Sequence, residues 1–127
     1  MDHYVFSGLT TQNQHIVQNL LSQDVSSLIR TAIHEVLHVH PNQLLGRSRK
    51  RQYCDARQMY FTLLRRATDL TFSEIGRTAN RHHSTVISSI YAHQSKVAYD
   101  LPYQEAYAEL CSEISILINR KHVKEEA

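Results

Sequence analysis

Arg81, His82, His83, Ser84 and Thr85 stand in a row at the start of an apolar-periodic run, a few residues after Phe72-Ser73-Glu74-Ile75-Gly76. Guanidinium, imidazole and hydroxyl groups exchange hydrogen bonds with base edges and phosphates, and a helix N-terminus adds amide donors for an anion. Two helices joined by a tight polar turn, the second opened by such side chains, have the shape of a DNA-reading helix-turn-helix. A second constellation competes: His34-Glu35-Val36-Leu37-His38 matches His-Glu-x-x-His. On a helix its two imidazoles could ligate Zn²⁺ while Glu35 activates water, so a zinc metalloprotease is the alternative function. Pro41 and Leu44 occupy the places where the extended motif has Gly and His. The preferred reading makes these solvent-edge histidines opposite a stripe of Ile29, Ile33 and Val36. Cys54, beside Asp55, reads as a small buried hydrophobe rather than a nucleophile.

The elements that would position these groups are helices, with no convincing period-two alternation anywhere. Leu9, Ile16, Val17, Leu20 and Leu21 suggest a short lead helix. Asp24 or Ser26 caps a second, in which Leu28, Ile29, Ala32, Ile33, Val36 and Leu37 recur every three or four residues before Pro41 ends it. After a helical turn at Asn42 to Leu45 and a basic loop from Gly46, a long helix runs from about Arg51 to Asp69 and buries Cys54, Met59, Phe61, Leu63 and Leu64. Thr71 and Glu74 form a capping box for a short helix carrying Phe72, Ile75 and Ala79. Asn80 suits the left-handed conformation of a tight turn. The next helix starts at His82 or His83 and turns Val86, Ile87, Ile90 and Tyr91 inward. Pro102 opens a last helix with Tyr103, Ala106, Tyr107, Leu110, Ile114, Leu117 and Ile118 as its apolar stripe, and Tyr99, Tyr103 and Tyr107 read as core.

With 127 residues the chain is expected to hold one folded domain at 24–122, between an N-terminal extension (1–23) and a short tail (123–127). Met1-Asp2-His3-Tyr4 lacks the basic start and apolar run of a secretory signal, and the sequence holds no apolar run long enough to span a bilayer, so the expected address is cytoplasmic, with no membrane partner. Two separated cysteines argue against a disulfide framework. Net charge is only +2, yet residues 47–81 hold nine Arg and Lys against three acids, a local +6. A field polarised in this way steers a polyanion to one face. Neutralising five or six phosphates would give a log-log salt slope of about −4 to −6.

Four stretches in order resemble one family: Leu44-Leu45-Gly46-Arg47-Ser48-Arg49, Ala56-Arg57-Gln58-Met59, Leu70 through Gly76, and Arg81-His82-His83-Ser84-Thr85-Val86. From Leu28 to Val97 the chain is similar to the C-terminal DNA-binding domain of the chromosomal replication initiator DnaA. The resemblance implies an all-α, Trp-repressor-like bundle of several helices with a helix-turn-helix, and a double-stranded DNA partner. It places His83, Ser84 and Thr85 in the major groove, with Arg81 and His82 beside them. Arg49 would reach the minor groove from the basic loop that also carries Arg47 and Arg51. Arg57 and Gln58 would touch DNA from the long helix, and Thr71, Phe72 and Ser73 would set the short helix against the backbone. It implies no cofactor, no metal and no enzymatic activity.

Two departures stand out. His82 replaces an acidic residue, so a group that can donate stands where a carboxylate only accepts. The turn at Ala79-Asn80 is one residue shorter than the family's, which would rotate the recognition helix slightly. The sequence contains no Gly-x-x-x-x-Gly-Lys-Ser/Thr phosphate loop. The expectation is a monomeric, free-standing DNA reader that regulates replication or transcription, with a replication initiator or regulatory protein as a further partner.

Overall fold

A computed structural model describes residues 22–126, with side chains described for 24–120. Among these residues there are helices and no strands: α1 (Ser22–Leu37), α2 (Pro41–Leu44), α3 (Arg51–Ala67), α4 (Phe72–Arg77), α5 (His83–Tyr99) and α6 (Leu101–Glu126). The all-α expectation therefore holds, while the lead helix expected around Leu9 to Leu21 lies outside the described residues. α3 is the spine, packed against α1, α2, α4 and α5, and α6 closes the far side by lying across α1 and α5.

Local chemistry explains most boundaries, though not all as the sequence suggested. α1 stops at Leu37 because His38 turns left-handed, at φ 56°. Pro41 does not end that helix. It opens α2, as a residue with fixed φ and no N–H does well at a first helical position. Neither Asp24 nor Ser26 caps α1, since both lie inside it. Ser26 is buried, and its hydroxyl lies 2.9 Å from that of Tyr60. The box on α4 forms as expected: Thr71 Oγ1 accepts from Glu74 N at 3.1 Å and Glu74 Oε1 accepts from Thr71 N at 3.0 Å. Those bonds to Thr71 hold the Glu74 carboxyl below its ordinary pKa.

The core is continuous through Ile29, Ile33, Leu44, Met59, Tyr60, Phe61, Leu63, Leu64, Ile75, Val86, Leu110 and Ile118. Cys54 is only half-buried, at the edge of the stripe it was expected to join. Tyr91 and Tyr99 are 67% and 89% exposed, against the expectation that both turn inward. The inward stripe of α5 instead runs Val86, Ile90, His93, Val97, with the histidine in an apolar place. His93 is buried between Tyr103 and Tyr107, its Nδ1 lying 2.6 Å from the Tyr103 hydroxyl. Burial, and then the charge of Arg66, lowers its pKa from 6.5 to about 4.

The α4–α5 turn is closely packed around Gly76. Arg81 N donates to Gly76 O at 2.8 Å, and Asn80 takes the left-handed conformation expected of it, at φ 53°. A Cβ at position 76 would lie 2.3 Å from the Arg81 carbonyl oxygen, a backbone atom that cannot swing aside. Gly76→Ala should therefore lower stability in urea by about 1 to 3 kcal/mol through overpacking. A second outcome concerns pH. Because the folded state holds His93 neutral, its contribution is complete above about pH 6.5 and is lost as pH falls toward about 4. The loss should be about 3 kcal/mol across that window, and urea titrations at pH 7.5 and 4.5 should show less of it in His93→Gln.

Candidate nucleic-acid interface

The short helix α4, the turn at 78–82 and the start of α5 form a helix-turn-helix, anchored from below by hydroxyls. Tyr60 of α3 donates to Thr78 Oγ1 at 2.8 Å, and its hydroxyl also meets Ser26 of α1. Arg30 of α1 donates to the same tyrosine oxygen at 3.2 Å. Apolar burial at Ile75, Ala79, Val86 and Ile90 completes the seat. The result is an α5 N-terminus whose polar residues His83, Ser84 and Thr85 are all exposed. His82 caps it, with Nδ1 accepting from Ser84 N at 3.2 Å and lying 2.9 Å from Ser84 Oγ.

Two guanidinium groups join the basic loop to this unit. Arg57, 9% exposed, donates through Nε to Leu44 O at 2.8 Å and through Nη1 to Ser48 O at 2.7 Å. Its Nη2 reaches Gln43 O at 3.1 Å. Arg81 crosses from the other side, donating to Ala79 O at 2.8 Å, to Leu45 O at 3.4 Å and to Gly46 O. Arg47 in turn reaches Asn80 O at 3.4 Å. A guanidinium suits this work, because it has five donors in a planar fork and nothing to satisfy but acceptors.

The placement revises several roles. Arg57, expected on the DNA, is buried with its fork spent on carbonyls, so it positions the loop. Arg81 is half-buried and likewise spent on carbonyls. Gln58 is half-buried, and its Oε1 is buried with no hydrogen-bond partner. Arg51 is exposed but paired, 2.8 Å from Asp100 and 3.9 Å from Asp55, and Lys96 bonds Asp55 from α5. Those four residues brace the α5–α6 corner. Thr71 is committed to its cap, while Phe72 is half-buried under the Arg65 guanidinium, 4.1 Å from the ring centre. Arg47, Arg49, Lys50 and Ser73 remain exposed. The sequence reading missed Ser88 and Tyr91, which share an exposed face of α5 with Ser84 and Ser95 at steps of four, three and four residues.

Charge at the seam is one-sided. Burial first, and then the charges of Arg47 and Arg57, push the Arg81 pKa below the usual arginine value. Among the described residues, none of the ion pairs involves Arg47, Arg49, Lys50, Arg57 or Arg81. The metalloprotease geometry, by contrast, is not realised. His34 is on α1, but His38 lies beyond its end in a left-handed conformation, so the two rings do not share a helical face.

These features define a helix-turn-helix protein. The model for the bacterial DnaA protein helix-turn-helix matches residues 26–92, and the chain belongs to that family. It is 42% identical over 72 residues to the chromosomal replication initiator protein DnaA 2 of Chlamydia caviae, which covers 57% of this chain and 15% of that protein. It is 41% identical over 76 residues to DnaA of Desulfotalea psychrophila, covering 60% and 16%. With DnaA of Oleidesulfovibrio alaskensis it shares 42% over 67 residues, 53% and 14%. The matched region is thus about a seventh of those relatives. No solved structure matches the chain.

Arg57→Ala removes the side-chain donor from the Leu44, Ser48 and Gln43 carbonyls, of which only Gln43 O keeps a backbone donor from Gly46 N, and should destabilise the fold by about 2 to 4 kcal/mol, as loss of a buried charged hydrogen-bond network does. Arg57→Lys should recover little of it, since an ammonium cannot span the three acceptors. Denaturant midpoints of the two variants beside the parent chain check both statements.

Proposed function

We propose that this chain binds double-stranded DNA with sequence preference. The N-terminus of α5 enters the major groove, with His83, Ser84 and Thr85 at base edges or adjacent phosphates. The loop at 46–51 lies along the neighbouring backbone, where Arg49 faces the minor groove. The observation that carries this proposal is the Arg47–Arg57–Arg81 cluster at the seam of loop and turn, none of which takes part in the ion pairs among the described residues. Like charges held together in this way repel one another, and a polyanion drawn to their field relieves that repulsion. Membership in the DnaA helix-turn-helix family supports duplex DNA as that polyanion.

The DNA-binding unit is 24–122, with 1–23 an extension and 123–127 a tail. It acts by occupying sites rather than by catalysis, as a cytoplasmic regulator of replication or transcription. A replication initiator sharing its sites would be its natural competitor or partner. None of the described helices is long and apolar enough to cross a membrane.

The structure lowers the expected number of phosphate contacts, because Arg51, Arg57 and Arg81 are already engaged within the protein. Arg47, Arg49, Lys50 and Arg77 remain, so the log-log salt slope should be about −3 to −4 instead of the steeper value drawn from charge alone. Lys50→Ala should weaken preferred and random duplexes alike and reduce the slope by about 1. His83→Ala or Thr85→Ala should cost about 1 to 3 kcal/mol on the preferred duplex and little on random DNA. Equal losses on both duplexes, or an affinity indifferent to salt, would contradict the proposal.

A further inference from the structure

Histidine is an unusual helix cap, because the favoured caps are short oxygen acceptors. Two stand among the described residues. His40 Nδ1 accepts from Asn42 N at 3.0 Å at the start of α2, and His82 Nδ1 accepts from Ser84 N at 3.2 Å at the start of α5. A backbone amide can only donate, so the nitrogen that receives it must carry a lone pair. In a neutral imidazole the proton then resides on the other nitrogen. The Ser84 hydroxyl, 2.9 Å from the same Nδ1, adds a second donor to that atom. His83 lies against the ring, with centroids 4.1 Å apart and planes inclined by 39°, which limits its rotation. The cap therefore selects the tautomer with its proton on Nε2, on a side chain that is exposed at the N-terminus of α5.

Resting on the DNA-binding reading above, we infer that His82 is a specificity-determining residue that reads a guanine through its Nε2–H. In the major groove guanine offers two acceptors, N7 and O6, whereas cytosine offers only its N4 amino donor. A group that can only donate is satisfied by the first and repelled by the second. Adenine and thymine each offer one acceptor and fall between. A carboxylate at this position would have the opposite preference, because it can only accept.

The capping role makes the inference testable without unfolding the helix. Aspartate and asparagine both cap well, so His82→Asp and His82→Asn preserve the α5 N-terminus while changing what faces outward. Asparagine can cap through Oδ1 and still offer an amide N–H, whereas aspartate offers acceptors alone. Selection of bound duplexes from a random pool should show one position at which the parent chain prefers guanine over cytosine by about tenfold, within the range for one base contact. His82→Asn should keep that preference in weakened form, and His82→Asp should reverse it toward cytosine while leaving other positions unchanged. Nitrogen-15 imidazole shifts of the free protein should show His82 protonated on Nε2 near pH 8. The inference fails if all three proteins select the same base there, if His82→Asp weakens every duplex equally as a phosphate contact would, or if Nδ1 carries the proton. Failure of every protein to enrich any duplex would overturn the DNA-binding proposal itself.

Discussion

The buried guanidinium of Arg57 is the interaction on which the rest of this surface depends. It ties together carbonyls from Gln43, Leu44 and Ser48, so the end of α2 and the middle of the basic loop hang from one side chain of α3. Arg81 does the same from the helix-turn-helix side, through Leu45 and Gly46. A loop of Gly46-Arg47-Ser48-Arg49-Lys50 left free would sample many conformations and repel itself. Held by two forks, it presents Arg47, Arg49 and Lys50 at a fixed position relative to the turn that opens α5. Ordering these cations during folding removes an entropic cost that binding would otherwise carry.

Positive charge is thus divided into two kinds of work. Arg57 and Arg81 are spent on carbonyls inside the seam, and Arg51 and Lys96 on Asp55 and Asp100 at the α5–α6 corner. What remains for a polyanion is smaller than the local +6 of the sequence implied. The internal cations still act at a distance, since a guanidinium bonded to neutral carbonyls keeps its field, whereas one paired with a carboxylate largely cancels. That is why the seam, rather than the corner, is the electropositive place.

Much of this was legible in the sequence. The capping box at Thr71 and Glu74, the left-handed Asn80 and the exposed His83-Ser84-Thr85 each follow from a local rule that tertiary packing had no reason to override. The misreadings came from longer range. The family resemblance assigns Arg57 to DNA, and nothing in the local sequence shows that its acceptors lie 9 to 14 positions away within the protein. The sequence reading turns Tyr91 inward with Val86, Ile87 and Ile90, yet Val86, Ile90, His93 and Val97 keep the helical spacing, and that periodicity leaves Tyr91 outside. His93 is tolerated there because burial keeps it neutral and Tyr103 supplies a hydrogen bond. The His-Glu-x-x-His match misled by letters alone: α1 ends one residue before its second histidine.

The central claim is that the clamped loop and the tip of α5 form one DNA-facing unit. An amide NMR titration of the whole chain with a duplex recovered by selection tests it most directly. The account predicts that signals of residues 47–50 and 82–88 shift together, with one shared saturation curve, while those along the outer face of α6 stay in place. Shifts confined to α6, or a basic loop that ignores the duplex while α5 responds, would contradict it.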